Sequence, residues 1–410
     1  MVVVNPNLIK DIKKHSKQEF NVDACFNCGT CTAVCPLSTE EYQFPRAMIR
    51  YGMVGQKKKL ISEKRLWMCS ACNDCSDSCP RNATPGEYMN AVRKWAISQY
   101  DVSGISRFLF RNKWNFKIAS VLVAFFFGAL FLAVSDFNID FDKRPIAIFD
   151  FFPYEFIHNF SLALFVIIGL IVGLSLLNQA INIFKAENED IRQGLIDARH
   201  NKEALTVFHL LFSPILMIKE AISVGIFEVF GQKRQYECLT ETKTSFKQKI
   251  NSKWMYHVFT IWGFIGLLGA TVLDMFLKPN HNEIPQIDNA LFAIRLLGII
   301  SGIFFITGVT AFILMRLLKV NKYYSNSTFE DYFILITLWV IGVTGVLLTA
   351  TLYWNFIPAS FAYAFFIIHI VAFFELMVFA PFTKFAHVWY RTFAFWIYYG
   401  VEKRKAKAVS

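Results

Sequence analysis

CFNCGTCTAVCP, residues 25–36, and CSACNDCSDSCP, residues 69–80, hold eight of the nine cysteines in a chain of 410 residues. Both read C-x2-C-x2-C-x3-C-P. Three thiolates two residues apart wrap one face of an iron–sulfur cubane, and backbone N–H groups of the tight turns point at its sulfurs. The fourth cysteine points away, and the proline after it turns the chain. This pattern predicts crossed ligation of two [4Fe–4S] clusters: Cys25, Cys28, Cys31 and Cys79 hold one, and Cys69, Cys72, Cys75 and Cys35 hold the other. Zinc sites rarely need two four-cysteine runs at this spacing. Residues 1–24 contain no apolar h-region of a secretory signal. The cysteines are therefore expected in a reducing cytoplasm, where metal ligation is favoured over disulfides.

Outward from the runs the pattern is helical. Pro45, Met48, Ile49 and Met53 space one face of a helix over 44–65, with Pro45 in its first turn and Arg46 solvated. A second helix is expected over 87–100. The cluster domain is thus expected to be helical, with the two clusters side by side.

Beyond residue 115 the composition changes. The whole chain is 55% hydrophobic and only 18% charged, with 44 Phe, where a soluble domain is nearer a quarter charged. Six stretches reach the length of about 20 apolar residues that a membrane helix needs: span A, 116–134; span B, 156–181; span C, 255–277; span D, 290–318; span E, 332–353; span F, 361–387. A further apolar segment, 204–230, is broken by Pro214, Lys219, Glu220 and Glu228 and reads as an amphipathic helix lying on the membrane surface. The fold expected is all-α: a helical two-cluster ferredoxin domain fused to a six-span transmembrane helix bundle. The boundaries are 1–105 for the cluster domain, 106–183 for spans A and B, 184–253 for the interfacial region, and 254–410 for a four-span bundle with its basic tail.

The net charge of +11 follows from the loops. Lys185, Arg192, Arg199, Lys202 and others through Lys253 crowd 182–253. Lys319 and Lys322 lie between spans D and E, and Lys403, Arg404, Lys405 and Lys407 end the chain. The positive-inside rule puts these, and both termini, on the cytoplasmic side of a prokaryotic inner membrane. Loops 135–155, 278–289 and 354–360 face outside. No basic face on a soluble fold suggests nucleic acid; the lipid bilayer is the surface this chain expects.

Ionisable residues inside spans are functional candidates. His369 and His387 are 18 residues apart, five turns of a helix, and so share a face about 27 Å apart. His257 in span C lies level with His387, and His158 in span B is nearer the level of His369. Two bis-histidine b haems follow as an expectation, His257 with His387 inside and His158 with His369 outside. His281 in an outer loop and Arg295 at the outer end of span D are candidates for a quinone site. His209 and Cys238 read as bystanders. Gly263, Gly266 and Gly269 read as a close-packing face.

These residues carry resemblances. CFNCGTCTAVCPLS, FPRAMIRYG and LWMCSACNDCSDSCPR in 20–97 resemble the family of heterodisulfide reductase C subunits. In 254–392, WMYHVFTIWGF and HIVAFFELMVFAPFTKFAHVWY resemble the cytochrome b that forms the gamma subunit of respiratory nitrate reductases, which implies His257, His369 and His387 as haem ligands. That family has a second histidine ten residues along from the position of His257. Leu267 stands there, and His158 is the candidate in its place. The fusion resembles the C subunits of quinone-interacting membrane-bound oxidoreductase complexes. The resemblance implies electron exchange with menaquinone, flavin- and iron–sulfur-bearing soluble partner subunits, and a link to adenylylsulfate reductase in sulfur metabolism.

The chain shows no G-x-G-x-x-G after a strand and no adjacent cysteine pair, so no flavin domain or disulfide-reducing domain is expected in it. It reads as the quinone-reactive electron-transfer subunit of an oxidoreductase, not catalytic alone on the soluble substrate. The alternatives are the membrane subunit of a heterodisulfide reductase-like or sulfite-reduction-associated complex, and a membrane anchor that carries no current.

Overall fold

The computed structural model describes residues 4–192, 214–236, 252–277 and 292–409, apart from 41, 139, 234, 321 and 355. Every regular element among them is a helix. His209, Cys238 and His281, most of the basic 182–253 loop and the 278–289 loop lie outside the described residues.

Eight short helices build the N-terminal part: α1 Leu8–Ser16, α2 Thr30–Ala33, α3 Arg46–Met53, α4 Lys57–Ser62, α5 Arg65–Met68, α6 Asp74–Asp77, α7 Pro85–Tyr100 and α8 Ile105–Arg111. The helix expected over 44–65 is divided into α3, α4 and the start of α5. Gly55 divides it: its φ is +73°, and a side chain there would run into the carbonyl of Asn5, 2.2 Å from where a Cβ would sit. Only glycine stops a helix this way without strain. Pro45 stands one position earlier than expected, as the N-cap of α3. The core under these helices is Leu8, Ile12, Phe44, Met48, Trp67, Tyr88 and Trp95. Burying each large side chain is worth about 1.5–3 kcal/mol. Tyr88 also donates its hydroxyl to the Met48 carbonyl at 3.2 Å, so its polar tip is satisfied in the core. The α7 helix is buried on nearly every side, because the small helices cover one face and the membrane bundle covers the other.

Six helices are long and apolar enough to cross a membrane: Lys113–Ala133, Tyr154–Ala186, Lys253–Leu277, Phe292–Leu317, Phe329–Tyr353 and Ser360–Phe382. They are spans A to F. Their outward faces show large apolar side chains, among them Phe125, Leu170 and Phe276, an arrangement suited to lipid and costly in water. Spans C and D touch backbone to backbone. A Cβ at Gly263 would lie 2.5 Å from the Phe305 nitrogen, and one at Gly308 would lie 2.6 Å from the Tyr256 carbonyl. The close-packing face expected in span C therefore holds at Gly263 and at Gly266, which meets Ser301, while Gly269 meets nothing within 4 Å. Spans D, E and F share Phe305, Val309, Leu338 and Leu376. Spans A, B and F share a phenylalanine core, with Phe127, Phe131 and Phe160 around Phe374. At the end far from the cysteines, the Arg144 guanidinium donates to the carbonyls of Thr351, Trp354 and Ile357, which end span E.

Span F departs from expectation. Its α-helix ends at Phe379, two short 3-10 turns follow at Ala380–Phe382 and Lys384–Ala386, and a new helix runs over His387–Val409. Pro381 has no N–H to give and its ring blocks helix continuation; Thr383 is then fully extended, at φ −111° and ψ −172°. His369 and His387 therefore stand on different helices, and the five-turn register and its 27 Å spacing do not apply.

The two parts are bolted together. Lys94 of α7 bonds Glu330 at the start of span E at 3.1 Å, both side chains only 4% exposed. Lys17 reaches the other Glu330 oxygen at 2.9 Å. Asp331 accepts from Lys384 at 2.8 Å while its other oxygen closes the capping box with Thr328. Ser106 donates to the Phe382 carbonyl, and Asn178 of span B to those of Gln99 and Tyr100. The segment Pro214–Phe230 packs at this same end: Val224 meets Met68 and Phe395, and Tyr399 donates to Glu228. It turns Ile218, Ile222 and Ile226 outward, each more than half exposed, as a surface-lying amphipathic helix would.

Candidate functional site

The two cysteine runs adopt one backbone shape twice. Asn27 and Gly29 have φ of +65° and +90°, and Ala71 and Asn73, at the matching positions, have +54° and +80°. Each pair of left-handed residues curls the chain around its first two cysteines. The third cysteine then sits on a one-turn helix, α2 or α6. The turns aim N–H groups at sulfur: the backbone nitrogen of Asn27 lies 3.4 Å from Cys25 Sγ and that of Ala83 3.3 Å from Cys79 Sγ.

Cys25, Cys28, Cys31 and Cys79 line one cavity, closed by Gly29, Ile49, Pro80 and Arg46. Arg46, expected in solvent, instead lies against Gly29, 3.2 Å from where a Cβ would be. Cys75 is within electrostatic range of Cys69, Cys35 and Cys31. Cys79 of the second run thus shares a cavity with the first three cysteines of the first. Burial pushes the thiols of Cys31 and Cys75 up, while the Thr30 hydroxyl holds exposed Cys28 down. Buried thiols of this kind surrender their protons to a metal rather than to water. Among the described residues no three donors converge closely enough for a single metal ion; four sulfurs around a cavity suit a cluster.

On the bundle side, His257 lies one turn into span C with its ring edge-on to Phe312. Its Nδ1 is buried without a hydrogen-bond partner. His387 begins the C-terminal helix, and its Nδ1 lies 2.8 Å from the Lys384 carbonyl. A carbonyl only accepts, so Nδ1 carries the proton and Nε2 keeps its lone pair for a metal. The two imidazoles lie close enough to interact electrostatically. Two buried imidazoles in range of each other are the kind of donor set that a bis-histidine haem uses. His369 turns instead toward span E, 3.1 Å from Thr344 Oγ1, with Gly345 leaving room for its ring. The Thr344 hydroxyl donates to the Val340 carbonyl, so it accepts from His369 Nδ1–H, again freeing Nε2. His158 stacks on Tyr154, and no described contact brings it to His369. Arg295 is paired with Asp274 at 3.6 Å.

Three features escaped the sequence. Arg93 of α7 donates to the Cys69 carbonyl at 3.1 Å and reaches Cys69 Sγ at 3.8 Å. Lys253, at the start of span C, donates to the carbonyls of Ser70 and Ala71. Nothing in their local sequence marks either one. Glu375 was readable: it is the one carboxylate in span F, and a charge at membrane depth is retained for function.

The family described as the 4Fe-4S dicluster domain matches residues 21–83. Curated relatives include a protein of Archaeoglobus profundus described as like the C subunit of heterodisulfide reductase, 30% identical over 83 residues. Another is the C subunit of the H(2):CoB-CoM heterodisulfide,ferredoxin reductase of Methanothermobacter thermautotrophicus, 43% identical over 76 residues. A third is the iron-sulfur C subunit of the CoB--CoM heterodisulfide reductase of Methanopyrus kandleri, 28% identical over 102 residues. These matches cover 20%, 18% and 23% of this chain, and 44%, 41% and 53% of the relatives. The chain therefore spans about half, or less, of the relatives' own length. No solved structure matches. The N-terminal part is a dicluster domain whose eight cysteines hold two [4Fe–4S] clusters, similar to the heterodisulfide reductase C subunits and followed by six apolar helices of membrane-spanning length.

Proposed function

We propose that this chain is the membrane subunit of a multi-subunit oxidoreductase, passing electrons between menaquinone and a cytoplasmic flavin/iron–sulfur partner through b haem and the two clusters. The observation that supports the reading is the meeting of His257, His387, Arg93 and the Cys69 turn at one end of the bundle, which would make the proposed haem site and one cluster neighbours. Haem and clusters supply one-electron steps between two-electron partners. The chain's own residues do the rest. His257 and His387 present imidazole nitrogens, the Lys384 carbonyl fixes the His387 tautomer, and spans C to F keep water away. The cysteine turns hold the clusters at the membrane face.

In this reading the dicluster domain, the basic loops and both termini lie in the cytoplasm of a prokaryote, and 1–105, 106–183, 184–253 and 254–410 are its working parts. The partner side is proposed to serve adenylylsulfate reductase, as in quinone-interacting membrane-bound oxidoreductase complexes. A heterodisulfide reductase-type complex is the second reading, favoured by the names of the relatives that match the dicluster domain.

The test is optical. Purified anaerobically and given a reduced menaquinone analogue, the protein should show a b-type α-band on a turnover timescale. That band should disappear, in whole or by one haem, in His257→Ala and His387→Ala. A chain without haem refutes the reading and leaves a non-conducting anchor. Co-purification of adenylylsulfate reductase or of a disulfide-reducing partner separates the two complexes.

A further inference from the structure

The two cysteine runs look alike in backbone but not in surroundings. The Cys69 turn is gripped from two sides. Lys253 of span C holds the carbonyls of Ser70 and Ala71 at 3.2 and 3.3 Å. Arg93 holds the Cys69 carbonyl and its sulfur, and is itself oriented by the Asn90 side-chain oxygen at 2.8 Å. Arg93 is also within electrostatic range of His387. At the Cys25 turn a different guanidinium, Arg46, lies against Gly29, and among the described residues no side chain donates to the carbonyls of that turn. Cys28 and its counterpart Cys72 are both exposed, but only the first run also carries a large exposed apolar side chain, Phe26, 60% exposed.

We infer that Arg93 is a positioning residue that raises the reduction potential of one cluster only, the one held on the Cys69 run, and thereby marks it as the membrane-side cluster. The physics is charge balance. Reduction adds one electron to a cluster already negative from its thiolates, and no bond forms or breaks. A guanidinium within 4 Å of a ligating sulfur stabilises the more negative form. The grip also fixes direction: the second cluster, toward solvent at Phe26, is the end that a soluble partner meets. This inference rests on the proposed assignment of ligands and on the electron-transfer reading, but its measurement does not need quinol, partner or haem.

A hydrogen bond to a charged group is among the stronger ones, so loss of Arg93 should weaken reduction of that cluster by at least about tenfold, or about 59 mV for one electron. The experiment is an EPR-monitored redox titration, with dithionite and mediators, of the full chain and of Arg93→Gln, with iron counted in each. One midpoint should fall and the other stay. Arg93→Lys, which keeps the charge, should recover part of the shift, and it carries the test should Arg93→Gln lose iron. In a Cys79→Ser background the shift should persist; in a Cys35→Ser background it should vanish. Unchanged midpoints with full iron overturn the inference, as does an equal shift of both, or a shift that survives Cys35→Ser. Absence of haem or of quinol reduction would leave these outcomes readable and overturn only the proposed function.

Discussion

Glu330→Gln is the most revealing single change in the joint between the dicluster part and the bundle. Glu330 and Lys94 are each 4% exposed and 3.1 Å apart, and Lys17 shares the carboxylate at 2.9 Å. Burial alone lowers the Lys94 ammonium from its ordinary value, and Glu330 pulls it back up. Removing the carboxylate's charge leaves Lys94 to Thr328, Phe110 and the α7 core, with only the more distant charge of Asp331 to offset its burial. Breaking one partner of a buried pair costs about 3–5 kcal/mol. Lys17 is less affected, since at 21% exposure it can turn to water. The opening equilibrium of α7 should rise by two to three and a half powers of ten, roughly, at 1.4 kcal/mol per tenfold. Hydrogen exchange in lipid nanodiscs reads this directly: amides in Pro85–Tyr100 should lose protection by at least about a hundredfold. Lys13–Asp23, with side chains 36% and 67% exposed, is the control, and Asp23→Asn should change exchange little. Replacing both partners, Lys94→Met with Glu330→Leu, should restore most of the protection. Unchanged protection in Glu330→Gln would refute the claim that this pair bears on the joint.

Other expectations follow from single groups. Burial, then Lys94 and Lys17, hold the His15 imidazole down at about 4, and its Nε2 is buried without a partner. The unfolded chain therefore binds this proton first, so the His15 contribution is complete above about pH 6.5 and is lost as pH falls toward 4, about 2 kcal/mol of it by pH 5; His15→Gln should flatten the thermal-melting difference between pH 7 and pH 5, and an equally steep difference would remove the assignment. Cys79→Ser and Cys35→Ser should each cost about four irons by chemical assay, with different EPR signals surviving; loss of the same signal in both would refute crossed ligation.

Local features were legible in the sequence because their physics is local. Ligand spacing announces a cluster before any fold exists, and the dicluster family match over residues 21–83 agrees with it. Six apolar runs announce six helices because length against bilayer thickness is the whole criterion. The α7 helix was expected within two residues of its start and at its observed end. What failed was continuity. Gly55 and Pro381 each carry the signal that ends a helix, but the apolar periodicity on either side hides it, so the pattern predicts one helix over 44–65 and another over 361–387. Long-range contacts were illegible for a different reason. Lys94 meets Glu330 across 236 residues of chain and Arg93 meets Cys69 across 24, and no pattern in either neighbourhood names the partner.

The joint has a kinetic corollary. A tethered carrier domain must swing between docking stations, and its turnover then slows as the surrounding fluid thickens. Here Trp67, Tyr100 and Tyr390 are packed ring against ring across the seam, with centroids 5.3 to 6.1 Å apart, and Ser106, Asn178 and Lys94 pin it from three further directions. A domain fixed in this way conducts as a stationary wire. Under the proposed function, glycerol should slow the arrival of quinol and partner and leave the internal hop at its native cadence.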